Sequence, residues 1–218
     1  MSGQKRGWMG TCVRAGLRIA AIPYGWAVCL RNRQYDRGSK PVHRCGVPVI
    51  SVGNLTTGGT GKTPIVCAIA ERLRASDRRV ALVSRGYGRG GADQNDEAEE
   101  LFARLPDVPH LQDPDRVESA RIAVEELETE LILMDDGFQH RRLHRDLDIV
   151  VIDATCPFGF GHVLPRGLLR EPLSGIRRSD LIVISRCGLV AEATVQGILN
   201  RLARLDQRVG DDIPVVLS

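Results

Sequence analysis

The stretch Thr56-Thr57-Gly58-Gly59-Thr60-Gly61-Lys62-Thr63 limits the possible folds of this chain more than any other, because of what lies on either side of it. It follows the apolar run Val47-Pro48-Val49-Ile50-Ser51-Val52-Gly53, which reads as a buried strand. It opens onto Pro64 to Leu73, where apolar residues recur at helical spacing and proline falls in the tolerated first turn. Strand, glycine-rich loop and helix in that order form a phosphate-binding loop. Backbone N–H groups turn inward around a polyphosphate, lysine adds a mobile positive charge, the threonine hydroxyl can ligate Mg²⁺, and the helix presents its positive dipole end. The usual pattern, G-x-x-x-x-G-K-[ST], has glycine where this chain has Thr56, so Gly58 and Gly59 are expected to supply the backbone freedom.

Further apolar runs extend the reading. Arg79 to Ser84, Leu131 to Met134, Asp148 to Asp153, Asp180 to Ser185 and Ile213 to Leu217 are short and nearly continuous, as strands of a parallel sheet buried on both faces require. Helical patterns at Val117 to Glu128 and Val190 to Leu205 separate them. The expected fold is therefore α/β, a P-loop NTPase-like, mostly parallel sheet flanked by helices. At 218 residues the chain can bury a sizeable core.

Two strand ends carry chemistry. Ser84 leads into Arg85-Gly86-Tyr87-Gly88-Arg89-Gly90-Gly91, and a glycine-rich loop at a carboxyl strand end is where open α/β sheets bind ligands. Met134 leads into Asp135-Asp136, the expected second half of a phosphate-loop site, where a carboxylate holds Mg²⁺ directly or through water. The polar loop after it places His140 and His144 four apart, a spacing more often met in hydrogen-bonding histidines than in metal pairs. Leu164 to Pro172 reads as a loop from its prolines and glycine, with Arg170 able to neutralise a phosphate and Glu171 to orient it. Asp93 to Glu100 is an acidic run suited to a helix start.

The formal net charge of +3 is too small to imply a nucleic-acid partner, but it is unevenly placed. Before Val47, Lys5, Arg6, Arg14, Arg18, Arg31, Arg33, Arg37, Lys40 and Arg44 face one acid, Asp36. Trp8 to Leu30 is apolar with Arg14 and Arg18 embedded, and its uncharged run from Ile19 to Leu30 is shorter than the about 20 residues a span needs. Two readings stand. One is a helix in the membrane interface, inserting Trp8, Leu17, Ile19, Ile22, Tyr24 and Trp26 with arginines at headgroup level; the other is a helix packed on the domain. The six cysteines form no C-x-x-C pair, which fits reduced thiols and no structural zinc.

Taken in order, Val47 to Leu55, the loop through Thr63-Pro64, Ser84-Arg85-Gly86-Tyr87-Gly88, Asp135-Asp136-Gly137-Phe138-Gln139-His140-Arg141, and Leu164-Pro165 with Leu169-Arg170-Glu171-Pro172 resemble the tetraacyldisaccharide 4′-kinase family of lipid A biosynthesis. The resemblance implies transfer of the ATP γ-phosphate, with Mg²⁺, to the 4′-hydroxyl of a lipid A disaccharide precursor at the cytoplasmic face of the inner membrane. It implies that residues 1–45 associate with that membrane and that 46–218 form the kinase core. It implies nucleotide binding by Thr56, Thr57, Gly58, Gly59, Thr60, Gly61, Lys62 and Thr63, metal binding by Thr63, Asp135 and Asp136, and catalytic parts for Lys62, Asp136, Arg170 and Asp96. At Asp96 the chain departs from the family's Gly-Asp-Glu-Pro-like motif, with Asn95 and Ala98 at the flanks. The family also continues into a second lobe with a Phe-Pro-Asp-His-His-like segment, and none of His43, His110, His140, His144 and His162 sits in one. The expectation is thus a lobe with weak nucleotide binding and little turnover by itself. A switch-type P-loop ATPase and a non-catalytic nucleotide-binding remnant are the competing classes.

Overall fold

The computed structural model describes residues 8–86 and 99–218. A seven-stranded sheet has the order β3-β2-β4-β1-β5-β6-β7, with β1 at Val49–Asn54, β2 at Val80–Ser84, β3 at His110–Gln112, β4 at Leu131–Asp135, β5 at Leu147–Asp153, β6 at Leu181–Ser185 and β7 at Val215–Leu217. β1 with β4, β2 with β3, β2 with β4 and β6 with β7 all pair in parallel. The expected strands are present within a residue or two of their apolar runs, because a strand covered on both faces needs apolar residues at successive positions.

The chain divides into two compact units. One holds residues 41–53 and 61–149. Its helices include α2 (Lys62–Arg74) and α3 (Arg116–Glu125). α2 buries Val66, Cys67 and Ala70. Ala120 and Ala123 of α3 pack with Val49, Ala81, Val83, Ile132, Met134 and Leu143 in one apolar cluster. Gly53 allows Phe138 to close over β1, since a Cβ there would lie 2.6 Å from the Phe138 Cβ.

The other unit holds residues 1–40, 54–60 and 150–218. It contains α1 (Trp8–Asp36), which runs through Pro23 without a break, and α4 (Glu192–Leu205), which buries Val195, Ile198 and Leu202. Between β5 and β6 the chain has no α-helix. Residues 163–171 form a strap, in which Leu164 N–H donates to the Leu169 carbonyl and Gly167 N–H to that of Val163. Gly167 is required there, as a Cβ would lie 2.2 Å from the His162 carbonyl oxygen.

Candidate phosphate-binding site

The loop between β1 and α2 is built by backbone geometry first. Gly58 at φ 106° and Gly61 at φ 77° take the left-handed conformations the turn needs, Gly61 standing at the N-cap of α2. Thr56 is buried and forms an antiparallel bridge with Leu169, so a residue with a side chain is accommodated where the usual motif has glycine. Thr57 N–H donates to the Leu168 carbonyl at 2.8 Å, and Asn54 Nδ2 to Thr60 Oγ1 at 3.0 Å. Ser185 Oγ, at the end of β6, donates to the Thr60 carbonyl at 2.7 Å. Gly58 and Gly59 stay exposed at the tip.

The helix start is held by different partners. Lys62 and Thr63 are buried in the first turn of α2. Lys62 Nζ lies 3.8 Å from Asp136 Oδ1, so the loop lysine meets the acid pair at the end of β4. A lysine this buried is stable as a cation only beside an anion. The acids themselves differ. Asp135 ends β4 opposite Val52 of β1 and is buried, and its Oδ1 accepts the Asp136 N–H at 2.8 Å. Asp136 turns out of the strand with φ 50°, a left-handed conformation that aspartate tolerates better than most residues. Gly137 follows without room for a Cβ, which would lie 2.5 Å from Ser51 Oγ.

Arg116 is a participant the sequence does not signal. It is buried at the start of α3, and its Nη2 donates to the Asp136 carbonyl at 3.2 Å. The only local cue is the Asp113-Pro114-Asp115 turn, in which Asp115 Oδ1 caps α3 through the Val117 N–H. His140 is half-buried beside it. Burial, reinforced by the Arg116 and Arg142 guanidiniums, pulls its pKa down to about 4, so the ring is neutral at pH 7. His144 is drawn to Asp146 instead, at 3.6 Å. No cluster of three or more His, Cys, Asp or Glu gathers for a metal among the described residues. Hydroxyl and carboxylate oxygens such as those of Thr63 and Asp135 suit Mg²⁺, which uses one or two carboxylates and keeps waters.

Arg170 lies on the strap, where its N–H donates to the Leu55 carbonyl at 2.8 Å. Glu171 is fully buried and accepts Arg178 Nη2 through both oxygens, at 2.9 and 3.0 Å. Glu171 therefore orients Arg178. Tyr24, grouped by its sequence context with the interfacial residues, is half-buried, and its hydroxyl donates to the Arg170 carbonyl at 2.8 Å. Asp96 and Tyr87 lie outside the described residues.

A parallel sheet with a central strand running into a left-handed glycine turn, and a helix whose first lysine meets a strand-end aspartate, defines a P-loop nucleotide-binding protein. The comparisons with known proteins narrow this. The chain belongs to the tetraacyldisaccharide-1-P 4′-kinase family, whose model matches residues 13–209. Tetraacyldisaccharide 4′-kinase of Anaeromyxobacter sp. (strain K) is 45% identical over an alignment 217 positions long, which covers 92% of this chain and 57% of that protein. That of Geobacter sulfurreducens is 41% identical over 91% of this chain and 61% of its own length. The crystal structure of LpxK from Aquifex aeolicus in complex with ATP superimposes with a TM-score of 0.72 at 37% identity, covering 79% of this chain and 58% of that one. The chain thus spans about three-fifths of the length of these relatives. The signal recognition particle receptor FtsY from Elizabethkingia anophelis, at 12% identity and a TM-score of 0.51, shares the fold alone.

Proposed function

We propose that these residues form the nucleotide-binding part of an ATP-dependent kinase that phosphorylates the 4′-hydroxyl of a tetraacyldisaccharide 1-phosphate. The observation that carries this is the Lys62–Asp136 contact at the mouth of the glycine turn, in a chain of this family. Lys62 and the loop N–H groups, from Gly58 to Thr63, neutralise and orient the β- and γ-phosphates, while the Thr57 N–H is taken by the Leu168 carbonyl. Thr63 and the Asp135-Asp136 pair would hold Mg²⁺, which when bound would supply charge neutralisation on the transferring group. Asp136, kept in place by Lys62 and by the Arg116 hydrogen bond to its carbonyl, holds its carboxylate where metal and phosphate charge concentrates. Asp96 takes the hydroxyl proton, and Arg170 contacts a phosphate.

The membrane reading belongs to the same proposal. No helix among the described residues is long and apolar enough to cross a membrane. One side of α1 nevertheless exposes Ile19, Ile22, Trp26 and Leu30, Trp26 at 79%. Their spacing of three and four makes an apolar stripe, and the surrounding segment is cationic. We infer that residues 1–45 seat this stripe in the cytoplasmic face of the inner membrane, which brings the site to a lipid substrate.

Transfer of labelled γ-phosphate from ATP to a tetraacyldisaccharide 1-phosphate in detergent micelles tests the reading. The assay compares the chain as it stands with the chain joined to the remaining length of a curated relative, each with and without Lys62→Ala. Product in the extended protein, reduced on the order of a hundredfold or more by the substitution, is expected. ATP binding without product in any form would overturn it.

A further inference from the structure

α1 is joined to the phosphate loop by an unbroken series of hydrogen bonds that runs through the strap. Tyr24 OH donates to the Arg170 carbonyl at 2.8 Å, and the Arg170 N–H donates to the Leu55 carbonyl at 2.8 Å, one residue before the loop begins. Two residues back on the strap, the Leu168 carbonyl accepts both the N–H of Thr57, at 2.8 Å, and its Oγ1, at 3.3 Å. Between these lies the Thr56–Leu169 bridge. A second attachment starts one residue further along, where Asn32 Nδ2 donates to Glu171 Oε2 at 2.9 Å and Arg178 holds the same carboxylate.

Tyr24 and Asn32 are eight residues apart on α1, so both project from one side of the helix, roughly 12 Å apart along its axis at 1.5 Å per residue. They grip adjacent residues, Arg170 and Glu171, at the end of the strap that touches the loop. Burial pushes the Tyr24 phenol above its ordinary pKa, so it remains a donor throughout the physiological range.

Backbone N–H groups in a phosphate loop bind well only when they already point inward, because each one that must be reoriented on binding subtracts from affinity. Thr57 is the loop residue whose N–H and hydroxyl are committed to the strap, and a strap free to drift would release it. We propose that Tyr24 and Asn32 are positioning residues for the nucleotide: through the strap they hold the phosphate loop in its binding geometry, and α1 is part of the phosphate-binding machinery as well as a surface-seeking helix. This rests on the phosphate-loop reading above and not on the membrane reading, since no lipid enters the argument.

The test is equilibrium binding of a fluorescent ATP analogue with Mg²⁺ to the full chain, without vesicles, for wild type, Tyr24→Phe, Asn32→Ala and the double variant. Amide hydrogen exchange at Thr57 and Arg170 is followed in parallel. Tyr24→Phe keeps the ring and removes one donor, and it is expected to weaken binding by about three- to tenfold, the worth of one such bond. The double variant weakens it further, and exchange at both amides accelerates in the same order. Losing one hydrogen bond of global stability leaves nearly all molecules folded, so it could not by itself change the affinity. Unchanged affinity in Tyr24→Phe and in the double variant, whatever the exchange rates, would overturn the positioning role. Wild-type protein that binds no nucleotide would overturn the phosphate-loop reading and this inference with it, while the exchange rates would still show whether the tie exists.

Discussion

At the scale of single residues, the site depends on positions with no tolerance for volume. Gly53 is the clearest, because Phe138 Cβ and N would lie 2.6 and 2.7 Å from a new Cβ. Gly53→Ala is expected to cost about 1–3 kcal/mol or more by overpacking, read as a lower urea midpoint at constant slope. His140 gives a test of a different kind. Its folded pKa of about 4 lies below the ordinary 6.5, so the fold favours the neutral ring. The contribution to stability is therefore whole above about pH 6.5, declines as the unfolded chain takes up its proton, and is gone below about pH 4. Urea midpoints across that window are expected to fall less steeply in His140→Gln than in wild type. Equal slopes would show that the ring is hydrated in the native state.

At the scale of elements, α1 presents two faces to different surroundings. Tyr24 and Asn32 are turned to the strap, while Ile19, Ile22, Trp26 and Leu30 remain exposed. Replacing Ile22 and Trp26 together by Asp removes apolar surface without touching a buried contact. Co-sedimentation with phosphatidylethanolamine–phosphatidylglycerol vesicles is expected to drop about tenfold or more, with no change in the thermal midpoint. Unaltered partitioning would rule out this stripe as the lipid-contacting surface. The sequence indicates an apolar helix here and leaves its partner open. Helical spacing tells which residues share a face, but it says nothing of which face meets a protein, so composition groups Tyr24 with the inserted residues although it belongs with the strap.

At the scale of the whole molecule, charge placement makes a prediction that no single residue carries. The basic residues before Val47 face a single acid, whereas the chain as a whole has a net charge of only +3. Binding to anionic vesicles is expected to weaken steadily between about 50 and 500 mM NaCl, over which the screening length shortens to a few ångströms, while binding to zwitterionic vesicles changes little. Similar salt dependence on both surfaces would mean that the basic segment does not face the lipid. Much of the molecule is legible in its amino-acid sequence. The strands are legible because burial on both faces demands continuous apolar runs, the phosphate loop because left-handed turns demand glycine, and Asp135-Asp136 because an apolar strand leads into them. These are local rules, satisfied within a few residues. The partners of those residues are not legible. Arg116 reaching Asp136 across 20 positions, and Tyr24 reaching Arg170 across 146, are fixed by which segments the sheet topology brings side by side. A hydrogen bond between distant residues leaves no period or composition in the chain, so tertiary packing alone decided how the phosphate loop is held.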